Sequence, residues 1–273
     1  MEKPGLERTV AIAGLGAIGM ELARLLDAGP EGLRLTAASA RDTAKAAANL
    51  AGFRHPPKLV PLEALAEEAA IVVECAPAAV FDQVALPAIA RGRIFVPASV
   101  GALLPRMHLV EEARRTGARI LVPTGALLGL DAIRAVAEGP VESVTIETRK
   151  PPRGLEGAPY LTENNLDMGA VAEPTLVFKG DALEAARGFP ANVNVAAALA
   201  LAGIGPERTM VEIWAVPGLP RNTHTIRAEA GAARLTMVVE GVPSEANPRT
   251  GKLTPLSILA LLRGLFSTLR VGS

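Results

Sequence analysis

The sequence predicts an α/β protein, with a doubly wound parallel sheet in its first half and a second α/β domain with a mixed sheet in its second. Three observations carry this expectation. Short apolar runs alternate with helically spaced apolar residues over roughly the first 120 positions, the rhythm of strands and crossover helices. A glycine-rich turn joins the first such run to the first helix. After Pro123 the rhythm gives way to longer runs that alternate between apolar and polar residues.

Residues 9–13 (TVAIA) make a strand-like run of the kind that is buried on both faces. Residues 17–28 then carry helical spacing through Ile18, Leu22, Leu25 and Leu26. Residues 33–38 read as the second strand, and Asp42 and Thr43 offer side-chain oxygens to cap the alanine-rich helix that follows. Residues 58–60 form a short strand, 62–69 a helix and 71–75 a strong strand. A helix then runs through Val80, Val84 and Ile89. Residues 94–96 and 119–122 are further strands, with a helix over 105–116 between them.

In the second half, 124–130 (TGALLGL) is a glycine-bearing turn that leads into a helix over 131–138. Residues 141–149 alternate as a strand should, and 150–159 are broken by prolines and glycines. Helices over 181–187 and 193–202 flank a turn at 189–192. Residues 209–215, 223–230 and 234–240 are expected to be consecutive antiparallel strands, and 254–269 an amphipathic closing helix. The expected domains are 1–123 and 124–253, with the closing helix packed back on the first.

Composition excludes several partners. The 28 basic residues cancel the 28 acidic ones, which leaves no electrostatic footprint for nucleic acid or an anionic membrane. The single cysteine, Cys75, rules out an internal disulfide and a cysteine-rich metal site, and fits a reducing cytoplasm; no metal is expected. Residues 1–8 are short and charged, unlike a secretory signal, and no apolar stretch reaches the ~18 residues of a membrane span.

Gly14-Leu15-Gly16-Ala17-Ile18-Gly19 is a complete GxGxxG that follows a strand and opens a helix, the context in which that pattern marks a Rossmann-type dinucleotide site. Gly14 permits the tight turn, Gly16 lets the backbone approach a pyrophosphate, and Gly19 lets helix and strand pack closely. Amides at the helix start, those of Ala17 and Ile18 among them, supply donors and a positive dipole. Residues 1–123 are therefore a cofactor domain for NAD or NADP. An NAD site usually places an acid at the tip of the second strand. Here the tip is Ser39-Ala40-Arg41, with Asp42 read as a helix cap. Ser39 and Arg41 suit a 2′-phosphate, so NADP should be accepted. Cys75-Ala76-Pro77 ends a strand where it would border a cofactor ribose. Cys75 itself reads as a small buried hydrophobe rather than a nucleophile.

The runs Thr124–Ile133 (TGALLGLDAI), Phe189–Val195 (FPANVNV), Arg221-Asn222-Thr223-His224 and Asn247-Pro248-Arg249-Thr250 resemble the L-aspartate dehydrogenase family in order and spacing. The resemblance spans almost the whole chain. It implies oxidative deamination of L-aspartate to iminoaspartate and the reverse amination of oxaloacetate with ammonia. It implies cofactor contacts at Ala126 and Asn192, a catalytic role for His224, and a homodimer. Many relatives carry an acid near Ala40, a point at which this chain departs. Residues 124–253 then become the substrate-binding, catalytic and dimerisation domain.

The chemistry points the same way. Hydride leaves an α-carbon only from a neutral amine, so a base must first take the ammonium proton. Histidine, with an ordinary pKa near 6.5, suits that task, and the rate is expected to rise as the imidazole loses its proton. His55 precedes a Pro-Pro pair, and His108 lies in a surface helix. His224 opens a strand beside Asn222 and Thr223, with Lys150 the next candidate base. A dicarboxylate also needs cations: Arg221, Arg149, Lys150 and Arg249 are available, with Arg221 favoured as a neighbour of His224. Asn192 and Asn194 are candidate amide donors. The pairs Glu111-Glu112 and Glu67-Glu68 are ordinary solvated helix faces.

Two other readings stay open at this point: a related oxidoreductase acting on another small amino or keto acid, and a non-enzymatic dinucleotide sensor. A sensor needs no placed base, and a homoserine-type enzyme usually relies on lysine and acids instead of histidine. The residues do not decide whether the reaction feeds quinolinate and NAD synthesis or consumes aspartate.

Overall fold

The computed structural model describes residues 9–29, 32–245 and 250–272. These fall into two compact units. Among the described residues, one comprises those from Thr9 to Ser99 with Arg106–Pro123 and Thr254–Val271; the other is built from Val100–Pro105, Thr124–Leu253 and Gly272.

The first unit holds a six-stranded, wholly parallel sheet. Its strands are β1 (Thr9–Ala13), β2 (Arg34–Ser39), β3 (Lys58–Leu59), β4 (Ile71–Glu74), β5 (Ile94–Pro97) and β6 (Arg119–Ile120), in the order β3-β2-β1-β4-β5-β6. The order reverses between β1 and β4, and a dinucleotide binds at the carboxyl ends of the strands flanking such a switch point. Every residue of β1 and β4 is buried, as their unbroken apolar character requires. Helix α1 (Ala17–Asp27) turns Leu22, Ala23 and Leu26 inward. Helix α2 (Thr43–Leu50) is capped by Asp42, whose carboxylate accepts from the Lys45 amide at 2.9 Å.

Helical content elsewhere is more broken than the apolar spacing suggests. The 62–69 stretch is a 3₁₀ turn followed by α3 (Leu65–Glu68), and α4 (Phe81–Ala90) comes after a second 3₁₀ turn. The 105–116 helix is confined to α6 (His108–Thr116). Before it lies α5 (Val100–Leu103), which belongs to the second unit.

The second unit begins its long run with α7 (Leu130–Ala137) and β7 (Val141–Lys150), which extends one residue further than expected and so includes Lys150. A short α8 (Pro159–Glu163) and a strand, β8 (Thr175–Asp181), are not apparent from the apolar pattern. A register shift between Leu176 and Phe178 breaks the alternation of β8, which hides it from a period-two reading. Then come α9 (Ala182–Gly188), α10 (Asn194–Ala202), β9 (Thr209–Ala215), β10 (Asn222–Ala230) and β11 (Arg234–Gly241).

The sheet order, β11-β10-β7-β9-β8, corrects one expectation. β10 and β11 are an antiparallel pair, but β9 pairs in parallel with β7, which separates it from β10. Alternation fixes which face a strand buries and says nothing about its neighbour. The core combines Ile146, Ile213 and Ile226 with Leu199 of α10 and with Phe178 and Phe189, whose rings meet at 5.5 Å. The closing helix, α11 (Leu253–Gly264), stops five residues before the expected Leu269, at a glycine that weakens a helix. It buries Ile258, Leu259 and Leu262 against Val10, Ile12 and Leu22 of the first unit.

Candidate active site

In the first unit the glycine turn is shaped by close backbone contacts. Gly14 sits at φ +93°, and a Cβ there would lie 2.8 Å from the Cys75 carbonyl oxygen. At Gly19 a Cβ would come within 1.9 Å of the Gly14 carbonyl oxygen, so helix and turn touch through bare backbone. Gly16 differs: its φ is −80° and a Cβ there would have no neighbour within 4 Å, so nothing in the chain itself demands glycine. The backbone at Gly16 is thus open to close approach from outside the chain. Gly16 caps α1 without a side-chain hydrogen bond, and no acid occupies the first turn. The positive end of the helix dipole is thus left without a counter-charge from its own first turn, with Ala17 and Ile18 half-buried beside it.

The Gly14 amide donates to the Ser39 carbonyl at 2.9 Å, which ties the turn to the tip of β2. Ser39 is buried and Arg41 exposed, while the nearby carboxylate, Asp42, is engaged as a helix cap. On the other side of the switch point Cys75 is half-buried, Ala76 buried and Pro77 exposed. Burial, with Glu74 beside it, pushes the Cys75 thiol well above its usual range, so it stays protonated and is no nucleophile.

In the second unit the helix-covered face of the sheet changes character along β7. Val144 and Ile146 face the core, and the next two inward positions are Thr148 and Lys150, both also buried. His224 pairs directly with Thr148 across β10 and β7, and its Nδ1 lies 3.0 Å from Thr148 Oγ1. His224 is only 5% exposed. Burial, reinforced by the Lys150 charge, pushes its pKa down to about 3. This overturns the expectation of an imidazole titrating near 6.5: His224 is neutral across the working range. The Lys150 ammonium donates to Asn192 Oδ1 at 2.7 Å, and Asn192 is held in its turn by its own amide, which donates to the Phe189 carbonyl at 2.8 Å. Asn194 Oδ1 accepts from the Gly101 amide at 3.0 Å, a structural bond joining α5 to the start of α10. Ala126 is half-buried in the turn closed by the Leu127 amide and the Thr124 carbonyl.

Other candidates fall outside this cluster. Arg221 is exposed, and the cation that acts on His224 is Lys150. Arg149 points to the opposite sheet face, where it pairs with Glu147 at 2.6 Å and stacks on Trp214. His55 and His108 are exposed. Arg249, with the rest of Asn247–Arg249, lies outside the described residues. Thr148 carries no signal in the sequence, because only the register of β7 against β10 brings it to His224. Among the described residues, no group of three or more metal-binding side chains is assembled and no helix is long and apolar enough to cross a membrane.

Comparisons with known proteins match both halves of the chain. A family model described as "Aspartate dehydrogenase, C-terminal" matches residues 131–265, and one described as "Homoserine dehydrogenase, NAD binding domain" matches residues 14–123. The chain is 53% identical over 267 residues to an L-aspartate dehydrogenase of Bradyrhizobium diazoefficiens, covering 98% of this chain and 95% of that one. It is 52% identical to L-aspartate dehydrogenase 3 of Bordetella bronchiseptica, covering 98% of both. A crystal structure of aspartate dehydrogenase from Thermotoga maritima superposes with a TM-score of 0.74 at 28% identity, covering 97% of this chain and 99% of that one.

Proposed function

The chain belongs to the L-aspartate dehydrogenase family, and from that premise we propose that it oxidatively deaminates L-aspartate to iminoaspartate, which water converts to oxaloacetate and ammonia, and runs the reverse amination. The observation that supports this best is the buried, neutral His224 held against Thr148 beside a buried cation, Lys150.

NAD or NADP, when bound, supplies the hydride acceptor. Gly14, Gly16, Ala17, Ile18 and Gly19 would hold its pyrophosphate, with Ser39 and Arg41 at the adenosine end and Cys75, Ala76 and Pro77 bordering a ribose. Ala126 and Asn192 are its further contacts by family resemblance.

His224 accepts the proton of the substrate ammonium, leaving the amine lone pair free to drive the breaking of the Cα–H bond. For Nε2 to act as that acceptor, Nδ1 must carry the ring hydrogen and donate it to Thr148 Oγ1, an arrangement that the 3.0 Å separation supports. Lys150 binds a substrate carboxylate. Before binding, its charge adds to the burial that holds the His224 pKa down; a carboxylate against it offsets that smaller, charge-borne part as the substrate arrives. Arg221, exposed at the mouth of β10, is at most an outer contact for the second carboxylate. Family membership further suggests a homodimer, and the single cysteine suits a cytoplasmic setting.

The test is a panel of amino acids assayed by reduced-cofactor absorbance with NAD and NADP in parallel. L-aspartate should be oxidised and homoserine, glutamate and alanine left alone. Turnover of homoserine without aspartate, or of no amino acid, would overturn the reading.

A further inference from the structure

Glu74 ends β4 and is fully buried, although the proposed chemistry makes no use of it. Ser99 reaches both oxygens of its carboxylate, and the Ala76 and Ala98 amides add hydrogen bonds to it. The Ser99 amide donates to Oε2 at 2.9 Å, and Ser99 Oγ lies 3.1 Å from Oε1. Ser99 Oγ also lies 3.3 Å from the Ala76 carbonyl oxygen, so its single hydrogen is directed between the two acceptors. Ser99 therefore links the carboxylate to the Cys75–Ala76 peptide. That same peptide is the surface against which Gly14 turns: a Cβ on Gly14 would meet the Cys75 carbonyl at 2.8 Å and Ala76 Cα at 2.9 Å. A continuous contact runs from the buried carboxylate to the first glycine of the dinucleotide turn.

We infer that Glu74 is a positioning residue for dinucleotide binding: through Ser99 its carboxylate clamps the Cys75–Ala76 peptide that supports the Gly14 turn. The inference rests on the cofactor reading given above. Desolvating a carboxylate is costly, and a leucine or glutamine would fill the space without that cost. What neither can do is accept hydrogen bonds at both ends of one group. A neutral carboxyl accepts more weakly than a carboxylate from the Ser99, Ala76 and Ala98 amides, so protonation loosens the clamp.

Burial raises the Glu74 pKa to about 7, with the hydrogen bonds from Ser99, Ala76 and Ala98 pulling the other way, so the clamp changes state near neutrality. Among the described residues, its neighbours add no competing switch. β1 and β5 carry no titratable side chain, and the Cys75 thiol is held neutral. On α4, Asp82 is paired with Arg106; on α3, Glu67 is paired with Arg91 and Glu68 with Lys58.

The experiment is NADH affinity, read by its fluorescence from about pH 6 to 9 without substrate, for wild type, Glu74→Gln and Ser99→Ala. NADH is chosen because it lacks the titrating 2′-phosphate of NADPH. Wild-type affinity should weaken about tenfold as pH falls through about 7, one protonation step being worth up to tenfold per unit. Glu74→Gln should bind weakly at every pH. Ser99→Ala should move the midpoint upward, because it removes a hydrogen bond that favours the ionised form. A flat wild-type profile, pH dependence surviving in Glu74→Gln, or an unmoved midpoint in Ser99→Ala overturns the inference. Ser99→Ala alone decides the matter if Glu74→Gln does not fold. Absence of NADH binding in wild type would overturn the cofactor reading itself, and this inference with it; absence of aspartate turnover would leave it standing.

Discussion

His224 Nδ1 lies 3.0 Å from Thr148 Oγ1, and the two residues stand directly opposite one another on β10 and β7. The imidazole is thus oriented by sheet register rather than by a loop. A site built on paired strands holds its geometry without help from neighbouring turns.

Thr148 should act through His224 alone. Thr148→Val keeps the shape and removes the hydroxyl, which frees the imidazole to change tautomer; kcat is expected to fall by roughly ten- to a hundredfold, the range for a displaced acid–base group. Thr148→Ser should restore most of it. Equal losses in both variants, measured by steady-state kinetics, would make Thr148 a packing residue only.

Lys150→Met tests the carboxylate contact. The substitution keeps an unbranched side chain of similar reach and removes a charge-assisted partner worth about 1.5–3 kcal/mol, so kcat/KM for L-aspartate should fall by roughly ten- to a hundredfold. NADH affinity measured in parallel should hardly move. A loss confined to the cofactor would assign Lys150, through Asn192, to the dinucleotide instead.

The glycine turn separates binding from folding. Gly16→Val meets no protein atom at its Cβ, so the variant should keep its thermal midpoint and lose about tenfold or more in NADH affinity, because the side chain occupies the pyrophosphate's approach. Gly19→Ala should do the reverse damage and unfold the protein, since its methyl would meet the Gly14 carbonyl at 1.9 Å. Wild-type affinity in a folded Gly16→Val protein would remove the phosphate from this turn.

Cofactor choice rests on the tip of β2. Asp42 is engaged as a helix cap, which leaves Ala40 neutral and Arg41 positive where the proposed site would meet a 2′ substituent. Ala40→Asp should therefore weaken NADP binding by about tenfold or more through repulsion of its phosphate, with NAD little affected. Parallel changes in the two dissociation constants would place the adenosine ribose elsewhere.

How far these features can be read from sequence depends on how local their causes are. β1, α1 and the glycine turn follow from adjacent residues, and so does the Asp42 cap. β8 is hidden because a register shift at Leu176–Phe178 erases its alternation, and the neighbour expected for β9 is wrong because alternation carries no pairing information. The electrostatic state of His224 is unreadable for a related reason. Its burial, its opposition to Thr148 and the nearby charge of Lys150 are created by strands more than seventy positions apart in the chain. Glu74 looks like the polar end of an apolar strand, and only Ser99, brought beside it by β5, shows what its carboxylate holds.

His224 carries the last prediction, in its effect on turnover and in its pH behaviour. As the base, His224→Gln should lower kcat by about a hundredfold or more, the usual contribution of a positioned acid–base group, with NADH affinity retained. The pH behaviour then distinguishes this histidine from an ordinary one. Its folded pKa, about 3, lies below the ordinary value of 6.5, so between those limits the unfolded chain binds a proton that the folded protein refuses. Stability must rise with pH across that window and be lost as pH falls from 6.5 towards 3, by up to the order of 5 kcal/mol. Glu74 works in the opposite sense between 4.5 and about 7, because there the folded state holds its proton longer than the unfolded chain does. Wild type alone therefore shows a muted slope, and the comparison of variants isolates each group. Urea unfolding at a series of pH values should show His224→Gln losing less stability than wild type on acidification below 6.5. The kcat/KM profile of wild type should show no imidazole limb between about pH 5 and 8. A His224 ring resonance that titrates near 6.5 in the free enzyme would show that the imidazole is neither dry nor held beside Lys150, and the substrate-tuned base would fall with it.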